Sequence, residues 1–91
     1  MKDTKVIILG KTECGKCQAC KEKMERMQIP YNYIAMDRLN GWRRHRAAEA
    51  LAACVMAGID FQREIPVVVV DGRAYRYAKG MKVLKKERKN G

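Results

Sequence analysis

The sequence predicts an α/β fold in which seven elements run β-α-β-α-β-β-α, giving a four-stranded mixed sheet with helices on both faces. Three observations carry this. Short β-branched runs alternate with longer segments of helical period. An Asp71-Gly72 pair separates two of the strand runs and reads as a tight hairpin turn. A Cys-x-x-Cys pair stands where the first strand gives way to the first helix. With 91 residues the chain is long enough for one core and too short for two independent ones, so residues 1–91 are read as a single domain with a short basic C-terminal tail.

Lys5 to Leu9 is apolar, β-branched and closed by Gly10, which predicts a buried strand. Cys17, Cys20, Met24 and Met27 then recur at i, i+3, i+7 and i+10, one face of a helix whose other faces carry Lys21, Glu22, Lys23, Glu25 and Arg26. Pro30 is expected to end it. Tyr31, Tyr33 and Ala35 alternate with Asn32, Ile34 and Met36 in a second strand that runs up to Asp37. Asn40 is the candidate N-cap of a long helix with Ala47, Leu51, Cys54, Val55 and Gly58 as its apolar stripe, stopping near Gly58. Ile65-Pro66 introduces the strand Val67 to Val70. The returning strand is Arg73 to Tyr77, and Lys79 to Arg88 forms a last amphipathic helix with Met81, Val83 and Leu84 turned inward. A helix between the first two strands makes them parallel, and the hairpin makes the last two antiparallel.

Twenty Lys and Arg oppose ten Asp and Glu, a net charge of +10, which favours acidic partners. Much of the excess lies in Arg43-Arg44-His45-Arg46 and in Lys82 to Lys89. No aromatic residues interleave with these charges as they do on single-strand nucleic-acid surfaces, so a solvated basic face is expected and no nucleic-acid partner. Only Val6 to Leu9 follows the polar N-terminus before a glycine, far short of a signal-peptide core or a membrane span. The chain is expected to be cytoplasmic and monomeric, with no membrane partner. Hydrophobic residues make up 47% of it, and neither a linker-like stretch nor a repeat interrupts the pattern.

Four cysteines are too few for a disulfide-stapled secreted scaffold, and Cys14, Cys17 and Cys20 crowd into one short segment. In a reducing compartment such crowding points to redox or metal chemistry. Cys14-Gly15-Lys16-Cys17 sets two thiols one helical turn apart at a helix start, a spacing that permits a reversible disulfide. The attacking species is the thiolate, and a free thiol with pKa about 8.5 is only a few per cent ionised at neutral pH. Lowering that value to about 7 takes roughly 2 kcal/mol. A helix N-terminus supplies about 0.3 to 1 kcal/mol. The free amides of Gly15, Lys16 and Cys17 and the charges of Lys11 and Lys16 are candidates for the rest. Cys14 is therefore the expected nucleophile. Cys17, inside the first turn, is suited to resolve the mixed disulfide formed at Cys14.

Lys11-Thr12-Glu13-Cys14-Gly15-Lys16-Cys17, with Ile65-Pro66 ahead of strand, turn and strand, resembles the glutaredoxins of the thioredoxin superfamily, and the element order is that superfamily's. The resemblance spans most of the chain. It implies a thioredoxin-like, glutaredoxin-type fold and a thiol–disulfide oxidoreductase with no cofactor. It also implies that Lys11 helps hold a substrate carboxylate and that the backbone of Ile65 pairs with substrate beside a cis Pro66. Lys11, Thr12, Gly15, Lys16, Ile65 and Pro66 are the expected substrate-contacting residues. Gly15 within the motif is closer to thioredoxin than to the Pro-aromatic pair of most glutaredoxins.

The resemblance breaks after the hairpin. Glutaredoxins usually carry two glycines and then an acidic or hydroxyl residue there, which together receive glutathione, whereas this chain reads Arg76-Tyr77-Ala78-Lys79. Redoxins that serve ribonucleotide reductase and draw on thioredoxin reductase also lack the full glutathione site and are similar in length. The expected partners are thus a disulfide-containing protein substrate and a reductant that is either a protein, such as a thioredoxin reductase, or a low-molecular-weight thiol. An alternative reading takes Cys14, Cys17 and Cys20 as ligands of a metal or iron–sulfur cluster. Against it, Cys20 shares a face with Met24 and Met27, where a buried thiol acts as a small hydrophobe, and no fourth ligand is near in sequence. Cys54, in an Ala-rich stripe, reads as core.

Overall fold

The structure, a computed structural model, describes residues 5–37 and 43–90, and the side chains of 43–46 and 87–90 fall outside the description. Its elements are β1 (Val6–Gly10), α1 (Gly15–Arg26), β2 (Asn32–Ala35), α2 (Arg43–Ala57), β3 (Val67–Val70), β4 (Arg73–Arg76) and α3 (Tyr77–Asn90). The order matches the expectation. The strands lie side by side as β2-β1-β3-β4, with β1 parallel to β2 and antiparallel to β3, and β3 antiparallel to β4.

Strand alternation sends successive side chains to opposite faces, and each face has its own core. Ile7, Leu9, Ile34, Val67 and Val69 point to α2 and meet Ala47, Ala50, Ala53 and Cys54. Val6, Ile8, Val68 and Val70 point the other way, where Cys20, Met24, Met81 and Leu84 cover them. Each large apolar side chain so buried contributes about 1.5 to 3 kcal/mol. The two helices on the second face close in by different means. Methionines from α1 fill the space over the sheet, whereas α3 comes in backbone-first: a Cβ on Gly80 would stand 2.7 Å from the Cβ of Val68.

Several boundaries differ from the sequence reading. The stripe of α2 runs through Ala47, Ala50, Ala53 and Cys54, and Val55, expected inside, is 73% exposed. At 3.6 residues per turn Val55 lies about 80° from the direction of Ala47, outside the arc that the small alanines bring against the sheet. Helix α1 stops at Arg26 with Met27 as its C-cap, because Gln28 takes φ +58°, so the chain has left the helix before Pro30. The returning strand ends at Arg76, and Tyr77 already belongs to α3. Val83 is only partly buried beside Met81 and Leu84. Asn40 lies outside the described residues, as does the side chain of His45.

Two expectations about the turns hold. Gly58, at φ +71°, follows the end of α2, and Asp71 and Gly72 take φ +49° and +83°, the pair of left-handed residues that a two-residue hairpin requires. The Ile65–Pro66 bond is cis. No helix among the described residues is long and apolar enough to cross a membrane.

Candidate functional site

The site forms where β1 ends. The last β1–β3 pair is Leu9 with Val67, directly after the buried Pro66. On the other side Gly10 pairs with Ala35, and its carbonyl accepts from the Met36 N–H at 2.7 Å. The chain leaves β1 through Lys11, Thr12 and Glu13 and enters α1 at Cys14. Thr12 is fastened on the way: its N–H and its hydroxyl both donate to Oδ1 of Asp37, at 3.1 and 2.9 Å.

Cys14 is the N-cap of α1. Its backbone is extended, at φ −146° and ψ 114°, and its sulfur accepts the N–H of Cys17 at 3.3 Å. An N-cap side chain satisfies one of the four amides that a helix start leaves unpaired, and here that acceptor is the half-exposed sulfur. Burial opposes ionisation of Cys14, but donation from the Cys17 thiol and from the N–H groups of Cys17 and Lys16, with the positive charge of Lys11, outweighs it. The Cys14 pKa lies below the ordinary thiol value.

Cys17 is 1% exposed, and its pKa is raised, first by burial and then by the proton it shares toward Cys14. The Lys11 N–H and the Tyr33 hydroxyl act against that rise. One turn further in, Cys20 is pushed up to about 11 by burial and by the nearness of Cys17, and burial alone raises Cys54 on the far face. The four thiols are free and electrostatically distinct, with Cys14 alone turned toward the thiolate.

Two clefts share Ile65, the residue before the cis proline, in their linings. One, of about 510 Å³, is lined by Lys16, Arg63, Ile65, Pro66, Arg76 and Tyr77. The other, of about 350 Å³, is lined by Lys11, Asp37, Phe61 and Ile65 among others. Lys11 bears on Cys14 through its charge and Lys16 through its N–H, while Lys16, Ile65 and Pro66 line one of the clefts. Thr12 turns its hydroxyl to Asp37, and Gly15 stands exposed, with open space where a Cβ would lie.

Arg76 does not project as a free charge, because its guanidinium is paired with the Glu64 carboxylate, which holds the loop before Ile65 against the end of β4. Lys79 lines a separate cleft with Met56, Arg73 and Val83. Among the described residues no three His, Cys, Asp or Glu side chains converge as metal ligands would, and Cys14, Cys17 and Cys20 are spread from the helix tip into the core.

Sequence reasoning missed two site residues. Asp37 was read only as the end of a strand, and Tyr33 only as one of an alternating series. Tyr33 reaches back from β2 to the exit of β1, where its hydroxyl donates to the Lys11 carbonyl and neighbours the Cys17 thiol. The signal was present in the pairing. Parallel strands set Tyr33 on the same face as Gly10, and a glycine there leaves a gap that only a long side chain can fill.

No protein-family model and no curated protein matches the sequence. Solved structures do match the fold. The glutaredoxin from Methanosarcina mazei Go1 superposes with a TM-score of 0.64 at 19% identity, over 92% of this chain and 77% of that one. The buckwheat glutaredoxin, solved in complex with glutathione, gives a TM-score of 0.63 at 21% identity, over 93% of this chain and 72% of its own. With its β2-β1-β3-β4 sheet, helices on both faces and a cis Ile65–Pro66 bond, the chain has a glutaredoxin-like fold.

Proposed function

We propose that the chain is a thiol–disulfide oxidoreductase, an electron carrier in which Cys14 attacks the disulfide of a protein substrate and Cys17 resolves the mixed disulfide. The observation that carries this reading is the Cys14 sulfur serving as the cap of α1, with its pKa lowered, one turn from a buried thiol whose pKa is raised. A structural cysteine gains nothing from such a pairing. A nucleophile and its resolving partner need it, because attack requires one thiolate while the second proton stays in place. Lys11, Thr12, Gly15, Lys16, Ile65 and Pro66 form the rim on which substrate lies.

Glutathione is not a strict requirement in this proposal. The cleft beside Pro66 carries the side chains of Tyr77, Arg63 and Lys16 and an Arg76–Glu64 ion pair, and these leave little room for close approach to the backbone. A protein donor such as a thioredoxin reductase, or another small thiol, supplies the electrons. Turnover of one protein disulfide tests both parts. Cys14→Ser is expected to fall to background, and Cys17→Ser to accumulate a mixed disulfide on Cys14. Undiminished turnover by either variant removes the dithiol mechanism. A saturable, efficient reaction with glutathione as sole donor removes the donor assignment and leaves the dithiol intact.

A further inference from the structure

Resting on the reading of Cys14 and Cys17 as a dithiol, we propose that Tyr33 is a positioning residue for the resolving step: its hydroxyl shares one gap over Gly10 with the Cys17 sulfur and donates to that sulfur when Cys17 ionises. The gap is defined by its contents. A Cβ built on Gly10 would collide with the Tyr33 Oη and stand 2.6 Å from the Cys17 Sγ, so the absent side chain is what leaves room for both groups. The Lys21 ammonium lies over the face of the ring, 4.4 Å from its centroid.

A hydroxyl has one proton and two lone pairs. With Cys17 protonated, the Tyr33 proton goes to the Lys11 carbonyl, and the Cys17 proton lies toward Cys14. Once Cys17 has lost its proton, rotation about the C–O bond turns the hydroxyl proton onto sulfur. The Lys11 N–H is the second donor there. A buried thiolate has almost no water to solvate it, and unpaired burial of a charge is strongly unfavourable. Two fixed donors at the end of β1 take the place of that water. Tyr33 does not itself take the proton, because burial and the neighbouring sulfur hold its own pKa above the ordinary phenol value. The other ionisable groups bearing on Cys17 are Cys14 and Cys20, and Cys14 and Asp37 bear on Tyr33.

The step balances as a thiol–disulfide exchange. The Cys17 thiolate attacks the Cys14 sulfur of the mixed disulfide, the Cys14–Cys17 bond forms, the bond to substrate breaks, and the substrate sulfur leaves as a thiolate that picks up the proton Cys17 released. With the thiol freed when Cys14 first attacked, the dithiol has given two electrons and two protons to the substrate disulfide.

A symmetrical aromatic disulfide such as Ellman's reagent, used at limiting concentration with the full-length protein, resolves the two steps. Attack by Cys14 releases one coloured thiolate, and resolution by Cys17 releases the second. In Tyr33→Phe the first release is expected to keep its rate within about twofold. The second should slow about three- to fourfold at neutral pH for each unit by which its pH midpoint rises, since lost thiolate is partly offset by higher nucleophilicity. Gly10→Ala, which forces hydroxyl and sulfur apart, should slow the same phase with the tyrosine still present. A merely structural role for Tyr33 would slow both phases together and leave the midpoint in place, and that result overturns the proposal. So does a second phase unchanged in Tyr33→Phe. No second release from the wild-type protein would instead remove the dithiol reading. One measurement depends on no turnover: tyrosine absorbance titrated in wild type and in Cys17→Ala should show one phenol moving toward its ordinary value when the sulfur is gone, and identical titrations also overturn the proposal.

Discussion

Where β1 begins, the Asp71 carboxylate accepts the Lys5 N–H at 2.8 Å, the Asp71 N–H donates to the Lys5 carbonyl at 2.9 Å, and the Lys5 ammonium meets Glu49 at 2.9 Å. Where β1 ends, the corresponding duties fall to sulfur: a helix N–H is given to Cys14 at 3.3 Å, and a tyrosine hydroxyl fills a gap beside Cys17. Oxygen acceptors close one end of the sheet. At the other end two thiols, one with a lowered and one with a raised pKa, stand among the oxygen acceptors. Cysteine is not among the favoured N-cap residues, so the dithiol end gives up some local stability for a sulfur that ionises.

The largest expected contrast is in reactivity. With its pKa at about 11, Cys20 is ionised to a fraction on the order of 10⁻⁴ at pH 7, and Cys54 is buried beside the far face. Brief alkylation of the reduced protein at neutral pH, mapped by mass spectrometry, should mark Cys14 almost exclusively. Comparable labelling of Cys20 or Cys54 breaks the comparison, because the thiolate would then not be confined to the helix tip.

Alkali should undo the dithiol end first. A thiol whose folded pKa is raised adds stability that is complete below its unfolded value, about 8.5, and is lost as pH climbs through the folded value, here about 11 for Cys20. The melting temperature of the reduced protein should therefore fall across that window, and fall less in Cys20→Ala. Equal slopes in both proteins would place the alkaline weakness elsewhere. Cys14 runs the opposite way: its lowered pKa contributes above the ordinary thiol value, and the contribution is lost as pH drops through the folded value.

A smaller effect probes the closed end. Gly72→Ala puts a side chain on a residue at φ +83°, a left-handed conformation that costs about 1 to 2 kcal/mol with a Cβ. Denaturant unfolding should report that loss while Cys14 alkylation keeps its rate. The smallest effect has the opposite sign. Gly15 has open space around the position of a Cβ, so Gly15→Ala should raise stability by about 0.4 to 1 kcal/mol, showing that the dithiol end is not tuned for stability.

The sequence made the order of elements legible because strand and helix periods alternate cleanly and because Asp71-Gly72 admits few conformations. It also located both cysteines and the cis proline, each of which is marked by local chemistry. Val55 was misplaced because a hydrophobic residue near a stripe looks like part of it, and only the close approach allowed by Ala47, Ala50 and Ala53 shows which arc of α2 is covered. Gln28 could not be foreseen as the end of α1, since a left-handed glutamine has no compositional mark and Pro30 drew the boundary toward itself. Tyr33 is the more instructive miss. Alternation assigned its face, but its role depends on a parallel neighbour that lacks a side chain, a relation between residues 23 positions apart that no local pattern contains.

The sulfur cap of α1 also fixes a sign in the redox equilibrium. The N–H groups of Lys16 and Cys17 and the charge of Lys11 favour the Cys14 thiolate, a species present in the dithiol and absent from the disulfide. Whatever stabilises that anion stabilises the reduced protein alone, so it raises the reduction potential, by about 30 mV for every 1.4 kcal/mol. In the proposed exchange, the same contacts that prepare Cys14 to attack thus leave the oxidised protein easier to reduce, and the start of one helix sets both how fast electrons leave and how readily they return.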